Sequence, residues 1–211
     1  MFLKTLAFGC YKAIIFLSRH VSWSEKGLVP DILEKPPPNV LKVKYPRATV
    51  KDGAIIPARY TKLAPKVIWD VDKKGTHYSL VMTDIDAPSR QKPFLREWHH
   101  WLVVNIPDNH FEKGDTLTEY IGAGPPKGTG LHRFVFLLLK QPNSISFPSY
   151  RISKTHYKGR PKFQTQTFIK KHNMEIYAGT FFEAEYDEFV DEVHKQIRLA
   201  EYLDLTKSQT F

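Results

Sequence analysis

The chain has 211 residues, of which 42% are apolar and 25% are charged, a composition typical of one sizeable globular domain. A single cysteine, Cys10, excludes a disulfide within the chain, and no apolar run reaches the roughly 18 residues that a membrane-spanning helix needs. The net charge of +9 indicates a surface that attracts anions. No nucleic-acid-binding motif accompanies this charge, so we expect no nucleic-acid partner.

Residues 1–27 are predicted to form an extension that precedes a single domain of residues 28–211. In a helix, Lys4, Lys12 and Arg19 would lie on one side, with apolar side chains opposite them. A basic amphipathic segment with no acid before Glu25 is typical of an organelle presequence or a membrane-surface helix, and a poorly ordered extension fits equally well. Because Lys12 interrupts the apolar run, a secretory signal is disfavoured. We expect a cytoplasmic location, with mitochondrial and secreted locations as alternatives.

From residue 33 to residue 141, short segments rich in β-branched and aromatic residues alternate with prolines and glycines, which predicts strands joined by turns. The predicted strands are "VLKVKY" (40–45), short strands within 54–70, Tyr78–Thr83, "REWHHWLVVNIP" (96–107) and "LHRFVFLLLKQ" (131–141). The last is almost wholly apolar, so we expect it to be buried on both faces.

Helical periodicity is clear only near the end of the chain. A short helix is predicted near residues 164–173, and a C-terminal helix is predicted within residues 184–203. The apolar stripe of the second helix consists of Tyr186, Phe189, Val190, Val193, Ile197 and Ala200. The sequence therefore predicts a mainly β domain on which a C-terminal helix packs.

The segment "GAGPPKGTGLHRF" (122–134) resembles a phosphate-binding loop at first sight. It fails the spacing of both glycine-rich nucleotide motifs, and a strand-like segment follows it where those motifs require a helix. Its two prolines fix the backbone, while its four glycines permit close approach by a ligand. Two interpretations remain: one wall of an anion pocket, or a stiff connection between strands.

Three polar residues lie near predicted strand ends: Asp84, His100 and His132. The two-residue period of a strand places His100 on one face with Trp98, Leu102 and Val104, and places His99 on the other face. In the later strand, His132 shares a face with Phe134, Phe136 and Leu138. If these two strands are neighbours, His100 and His132 meet.

Two histidines and a carboxylate permit two kinds of site. Asp84, His100 and His132 are metal-ligand types and would suit a metal-assisted hydrolase, although adjacent strand histidines make poor ligand pairs. Imidazole and glycine N–H groups would instead suit an anion pocket that needs no metal and performs no catalysis. A third possibility is an interaction protein that uses the basic segment 151–173, which includes Lys158 and Arg160.

Three segments, "YSLVMTDIDAPSR", "REWHHWLVVNIP" and "YIGAGPPKGTGLHRFVFLL", resemble the signature regions of the phosphatidylethanolamine-binding proteins, the family that includes the Raf kinase inhibitor protein. The similarity extends more weakly from Leu33 to Leu203. It implies two antiparallel β-sheets with a C-terminal α-helix and short peripheral helices, and a monomer without catalytic turnover, cofactor or metal. The implied partners are phospholipid head groups or other phosphate anions, signalling kinases or serine proteases, and the membrane surface.

Carried over motif by motif, the resemblance assigns a ligand pocket to Asp84, Pro88, Trp98, His100, Gly124, Pro125, His132 and Phe134. Asp86 and Arg133 match scaffold positions. Ile85 stands where the family has proline, so a cis peptide bond is not expected there. Phe134 stands where tyrosine is common, and its missing hydroxyl is expected to weaken the pocket. His194 is expected to take the place of a mobile tyrosine on the C-terminal helix.

Overall fold

The computed structural model describes residues 21–147 and 151–197. The strands are β1 (Asn39–Val40), β2 (Lys42–Tyr45), β3 (Ala48–Thr49), β4 (Ala54–Ile55), β5 (Lys66–Ile68), β6 (His77–Asp84), β7 (Trp98–Pro107), β8 (Asp115–Thr118), β9 (His132–Gln141) and β10 (Glu175–Ala184). The α-helices are α1, which is described over 21–25, α2 (Thr165–Lys171) and α3, which is described over 189–197. Two 3-10 helices cover Ala58–Thr61 and Phe111–Lys113.

The strands form two sheets, as predicted. The large sheet has the order β1-β10-β9-β6-β7-β8, and β4 also pairs with β10; the small sheet has the order β3-β2-β5. All pairings are antiparallel except those that the short strands β1 and β4 make with β10. The molecule is therefore mainly β, with few and short helices.

Strand β9 lies in the middle of the large sheet and is buried on both faces, which confirms the prediction from its apolar sequence. Phe134, Phe136 and Leu138 face a core between the two sheets. The alternate residues Val135, Leu137 and Leu139 face a second core, which residues 21–33 and α2 cover. Because both faces of β9 are buried, its alternate side chains face two different cores rather than a core and solvent.

Strand β7 departs from the simple two-residue period at His100. Met82 and Thr83 of β6 are adjacent, yet they pair with Trp101 and His99, so His100 is the extra residue of a β-bulge. The predicted common face of His100 with Leu102 and Val104 is therefore wrong. The bulge places His100 against Phe134 of the inter-sheet core, while Leu102 and Val104 face the second core.

Residues that precede the predicted domain start at residue 28 are packed on the large sheet. Trp23 is fully buried and lies edge-on against Phe181 at a centroid distance of 5.0 Å. Lys26 pairs with the buried Glu183 at 2.5 Å. The predictions for Lys4, Lys12 and Arg19 lie outside the described residues.

Helix α3 packs on the end of the large sheet through Val190, Val193 and Ile197, as its apolar stripe predicts. Ala200 lies outside the described residues. Across 21–147 and 151–197, no helix has both the length and the apolar character needed to cross a bilayer.

Candidate anion-binding cavity

A cavity of about 290 Å³ lies where the ends of β6, β7 and β9 meet the glycine–proline loop and α3. Six of the eight predicted pocket residues line it: Asp84, Pro88, Trp98, His100, Gly124 and His132. The condition under which the two histidines would meet directly is not fulfilled, since β6 lies between β7 and β9. Strand β6 brings Asp84 between the two histidines, so all three still border one cavity.

The innermost polar group of the cavity is a buried ion pair. His132 Nδ1 donates a hydrogen bond to Asp84 Oδ2 at 2.7 Å, and the two side chains are 0% and 6% exposed. The other carboxylate oxygen of Asp84 accepts a bond from the backbone N–H of Asp86 at 2.8 Å. Asp84 therefore orients the imidazole and has both of its oxygens engaged.

The second ring nitrogen of His132 also has a partner. Thr129 donates its hydroxyl to the carbonyl of Pro126 at 2.7 Å, so its oxygen is left to accept the bond from His132 Nε2 at 2.9 Å. Both ring nitrogens then carry hydrogen. Burial lowers the pKa of His132, but the hydrogen bond to Asp84 and the charges of Asp84 and Asp86 outweigh burial and raise it.

His100 has the opposite character. Its Nδ1 lies 3.1 Å from the carbonyl oxygen of Ile121, which can only accept, so Nδ1 carries the hydrogen. Burial lowers the pKa of His100 to about 4, against the smaller effects of Asp84 and the Ile121 carbonyl. The neutral ring therefore leaves Nε2 as a hydrogen-bond acceptor. The cavity combines one imidazolium with one neutral imidazole.

Helix α3 closes one side of the cavity. His194 donates from Nε2 to the carbonyl oxygen of Gly124 at 3.0 Å, and it lines the cavity as expected from the sequence. A Cβ atom at Gly124 would lie 3.6 Å from Val193 and 3.7 Å from His194. The glycine loop and the helix are therefore in contact at this point.

The remaining lining residues, which sequence analysis did not assign to the site, are mostly apolar: Ala87, Leu95, Ile121, Pro126, Tyr157, Val193 and Ile197. Tyr157 lies edge-on against Trp98 with ring centroids 5.0 Å apart. Val193 and Ile197 belong to a stripe that the helical period identified only as packing residues. No local motif marks Tyr157, because it reaches Trp98 through the tertiary fold.

Two predicted pocket residues do not line the cavity. Pro125 is buried, and the neighbouring Pro126 provides the wall instead. Phe134 is fully buried between the sheets, where it stacks on Phe182 at 5.0 Å and meets the edge of His100 at 5.2 Å. Phe134 thus packs against His100 from the inter-sheet core and does not itself line the cavity.

The scaffold assignment of Asp86 and Arg133 agrees with their contacts. Asp86 accepts three bonds from Arg133, at 2.6, 2.8 and 2.9 Å. Arg160, which the sequence groups with a basic surface, is fully buried and donates to backbone carbonyls, including that of His99 at 2.9 Å. The part of the surface hypothesis that depends on Arg160 is therefore wrong.

The three predicted metal ligands do not form a metal site. Within the described ranges, no group of three or more histidine, cysteine, aspartate or glutamate side chains is arranged to hold a metal ion. His132 already has both ring nitrogens bonded, and His100 Nδ1 faces a carbonyl. The metal-assisted hydrolase has no support.

The comparisons with known proteins agree with this fold. The family model described as Phosphatidylethanolamine-binding protein matches residues 46–182. The "Putative odorant-binding protein A5" of Drosophila melanogaster is 32% identical over 175 residues, which cover 82% of this chain and 83% of the relative. The chain therefore belongs to the phosphatidylethanolamine-binding protein family.

Two solved structures show the same fold. CG7054, known from a solution structure, is 39% identical with a TM-score of 0.66, and the match covers 81% of this chain and 97% of that one. A carboxypeptidase Y inhibitor, solved with its cognate proteinase, is 27% identical with a TM-score of 0.68. That match covers 81% of this chain and 96% of the inhibitor.

Proposed function

We propose that this protein binds phosphate-containing head groups of the phosphatidylethanolamine type in the cavity, without catalytic turnover. The observation that supports this most strongly is the buried His132–Asp84 pair at the cavity wall. A buried imidazolium beside a cavity favours an anion, because the low local polarity strengthens a charge-assisted hydrogen bond. An oxyanion accepts the His132 Nε2–H in place of Thr129.

The neutral His100 adds a second requirement. Since Nε2 of His100 accepts a hydrogen bond, a ligand that also carries a donor fits better than a fully ionised phosphate. Phosphoethanolamine has both an anionic phosphate and a donating ammonium group. The apolar side chains of Trp98, Val193 and Ile197 suit the carbon atoms between them. The site is thus suited to a zwitterionic head group.

The pH dependence of binding follows from the two histidines. The sequence alone predicts that affinity rises as pH falls through about 6.5, where a free histidine titrates. Because the pKa of His132 is raised, the imidazolium persists above that pH, and affinity is lost only as pH rises through the raised value. His100, with a pKa of about 4, stays neutral throughout this range.

Calorimetry with phosphoethanolamine, inorganic phosphate and ethanolamine tests the proposal. His132→Gln keeps a hydrogen-bonding side chain but removes the charge, and we expect roughly tenfold or greater loss of phosphoethanolamine affinity, since one charge-assisted bond contributes about 1.5–3 kcal/mol. His110→Gln is the matched control, because His110 is exposed beside Glu112. Unchanged binding in folded His132→Gln contradicts the proposal. If that variant does not fold, the ring signals of His132 in the wild type must shift on ligand addition.

We further propose that the protein modulates protein partners, with a protease as the first candidate and a signalling kinase as the second. The support is the similarity to a carboxypeptidase Y inhibitor that was solved in complex with its proteinase. An inhibition assay against carboxypeptidase Y tests this directly. Inhibition that saturates with this protein supports the protease partner, and full enzyme activity at high inhibitor concentration contradicts it.

The proposed location is the cytoplasm, with mitochondria or secretion as the alternatives. The acid-free, basic segment of residues 1–20 is the feature that would direct the chain to one of these alternative locations. Cell fractionation of the full chain, tagged at its C-terminus, distinguishes the three locations. Recovery from the organelle or the medium contradicts the cytoplasmic proposal.

A further inference from the structure

Three loops surround the cavity and expose their tips to solvent. We call residues 88–97, 124–130 and 155–160 the mouth loops. Each has a residue in the cavity wall whose neighbour in sequence is exposed: Leu95 beside Phe94, Pro126 beside Lys127, and Tyr157 beside Lys158. Because neighbouring residues of a loop are close in space, the exposed residues lie around the cavity entrance.

Phe94 is unusual for an exposed position. It is 66% exposed, the highest value among the large hydrophobic residues described as exposed. Its backbone is held in place, since its N–H donates to the carbonyl of Lys92 at 3.0 Å and that of Leu95 donates to Ala87 at 3.1 Å. A single exposed apolar side chain carries little meaning by itself. Phe94 is of interest because the mouth loops also carry exposed lysines.

The mouth loops present positive charge. Lys92, Lys127 and Lys158 are all exposed, and none of them has an ion pair with a described residue. Glu97 is the one acid in the mouth loops, and it is hydrogen-bonded to Thr165. Arg90 is turned away, with its guanidinium bonded to the carbonyl of Lys26. Lys127 Nζ also lies over the ring of Tyr186, 5.6 Å from its centroid. The tips therefore combine an aromatic ring with lysines that form no ion pair with a described residue.

We propose that the mouth loops dock on an anionic phospholipid bilayer, with Phe94 inserted at the head-group level and the three lysines on lipid phosphates. Aromatic side chains flanked by lysines suit this interface, where the ring enters the apolar boundary and the cations remain at the anionic surface. The docking places the cavity entrance against the head groups. It relies on the proposed function only for what then enters the cavity.

Sedimentation of the full chain with vesicles tests the docking surface. The vesicles contain phosphatidylcholine with one third phosphatidylserine and no phosphatidylethanolamine, so binding does not require the cavity ligand. We expect Phe94→Glu to weaken vesicle binding roughly tenfold or more. Each of Lys92→Ala, Lys127→Ala and Lys158→Ala should weaken it about fivefold, and added salt should reduce their contribution.

Val40→Glu is the control for an exposed apolar residue. Val40 is 47% exposed on β1 and pairs with Gly179, whereas the cavity end of β10 is Ala184, which pairs with His132. This variant should bind vesicles like the wild type. Phe94→Leu, which keeps an apolar side chain, should retain most of the binding that Phe94→Glu loses.

The outcomes separate docking from head-group binding. If Phe94→Glu loses vesicle binding but keeps phosphoethanolamine binding in calorimetry, the docking surface is supported and the cavity is intact. Vesicle binding that is absent in the wild type, or that Val40→Glu weakens as much as Phe94→Glu, overturns the docking surface. Binding that depends on the lysines but not on Phe94 also overturns it, since charge alone then accounts for the attraction.

Discussion

Two cation–carboxylate pairs come from neighbouring residues of the same two segments, and they lie on opposite faces of the sheet. Asp84 ends β6 and Asp86 follows it, while His132 and Arg133 begin β9. The His132–Asp84 pair borders the cavity, and one hydrogen bond of 2.7 Å joins its two side chains. The Arg133–Asp86 pair has three bonds, and Arg133 also donates to the carbonyls of Lys26 and Gly27.

This difference separates scaffold from site. Arg133 presents a planar fork that Asp86 and two carbonyls occupy, so it has little capacity left for a ligand. His132 is bonded on one side to a carboxylate and on the other only to a threonine hydroxyl, which an anion can replace. Residues of similar charge, adjacent in sequence, thus have different roles because a strand directs them to different faces.

The largest expected effect concerns the N-terminal support of the Arg133 pair. A chain that begins at residue 28 lacks Trp23, the Lys26 partner of Glu183 and the two carbonyls that Arg133 contacts. We expect it to be less stable than a chain that begins at residue 21 by about 5 kcal/mol or more, or not to fold. Urea unfolding of both chains measures this, and equal midpoints would contradict the packing of residues 21–27.

The next effect concerns the Arg133 pair itself. Asp86→Ala leaves the Arg133 guanidinium buried without its carboxylate, and we expect a loss of about 3–5 kcal/mol in the free energy of unfolding. Denaturant unfolding at neutral pH checks the value. Lys62→Ala is the matched control: it removes one partner of the exposed Lys62–Glu192 pair and should cost less than about 1 kcal/mol. Similar losses in both variants would remove the distinction between scaffold and surface pairs.

A smaller, pH-dependent effect on stability is expected at the His132–Asp84 pair. Since the folded pKa of His132 is raised, its contribution to stability is complete below about pH 6.5 and is lost as pH rises through the raised value. Asp84→Asn removes the charge that raises the pKa of His132. We expect this variant to be about 1–3 kcal/mol less stable than the wild type at pH 6, with the difference shrinking at higher pH. Unfolding measured across pH 6 to 9 checks this, and a constant difference contradicts it.

The smallest expected effect on stability is at the cavity wall. The Cβ atom of Gly124→Ala meets α3 only at ordinary contact distances, so we expect a change of less than about 1 kcal/mol. The added methyl group narrows the space between the loop and the helix, and affinity for phosphoethanolamine should fall. A large loss of stability without a change in affinity would show that this wall is scaffold as well.

The mainly β fold, the central apolar strand β9, the C-terminal helix and the candidate polar residues Asp84, His100 and His132 could be predicted from residue patterns alone. These follow from local features: periodicity, turn residues and motif spacing. The family resemblance, and no local pattern, indicated Pro88, Trp98 and Gly124 as pocket residues and Asp86 and Arg133 as scaffold.

The remaining features could not be predicted from the sequence, because they depend on contacts between residues far apart in the chain. The bulge at His100 overrides the strand period, and Trp23 joins the domain through Phe181. The carbonyl of Ile121 places the ring hydrogen of His100 on Nδ1, while Asp84 and Thr129 accept hydrogen bonds from the two ring nitrogens of His132. A histidine's charge and donor pattern are set by its partners and burial, and neither can be obtained from local sequence.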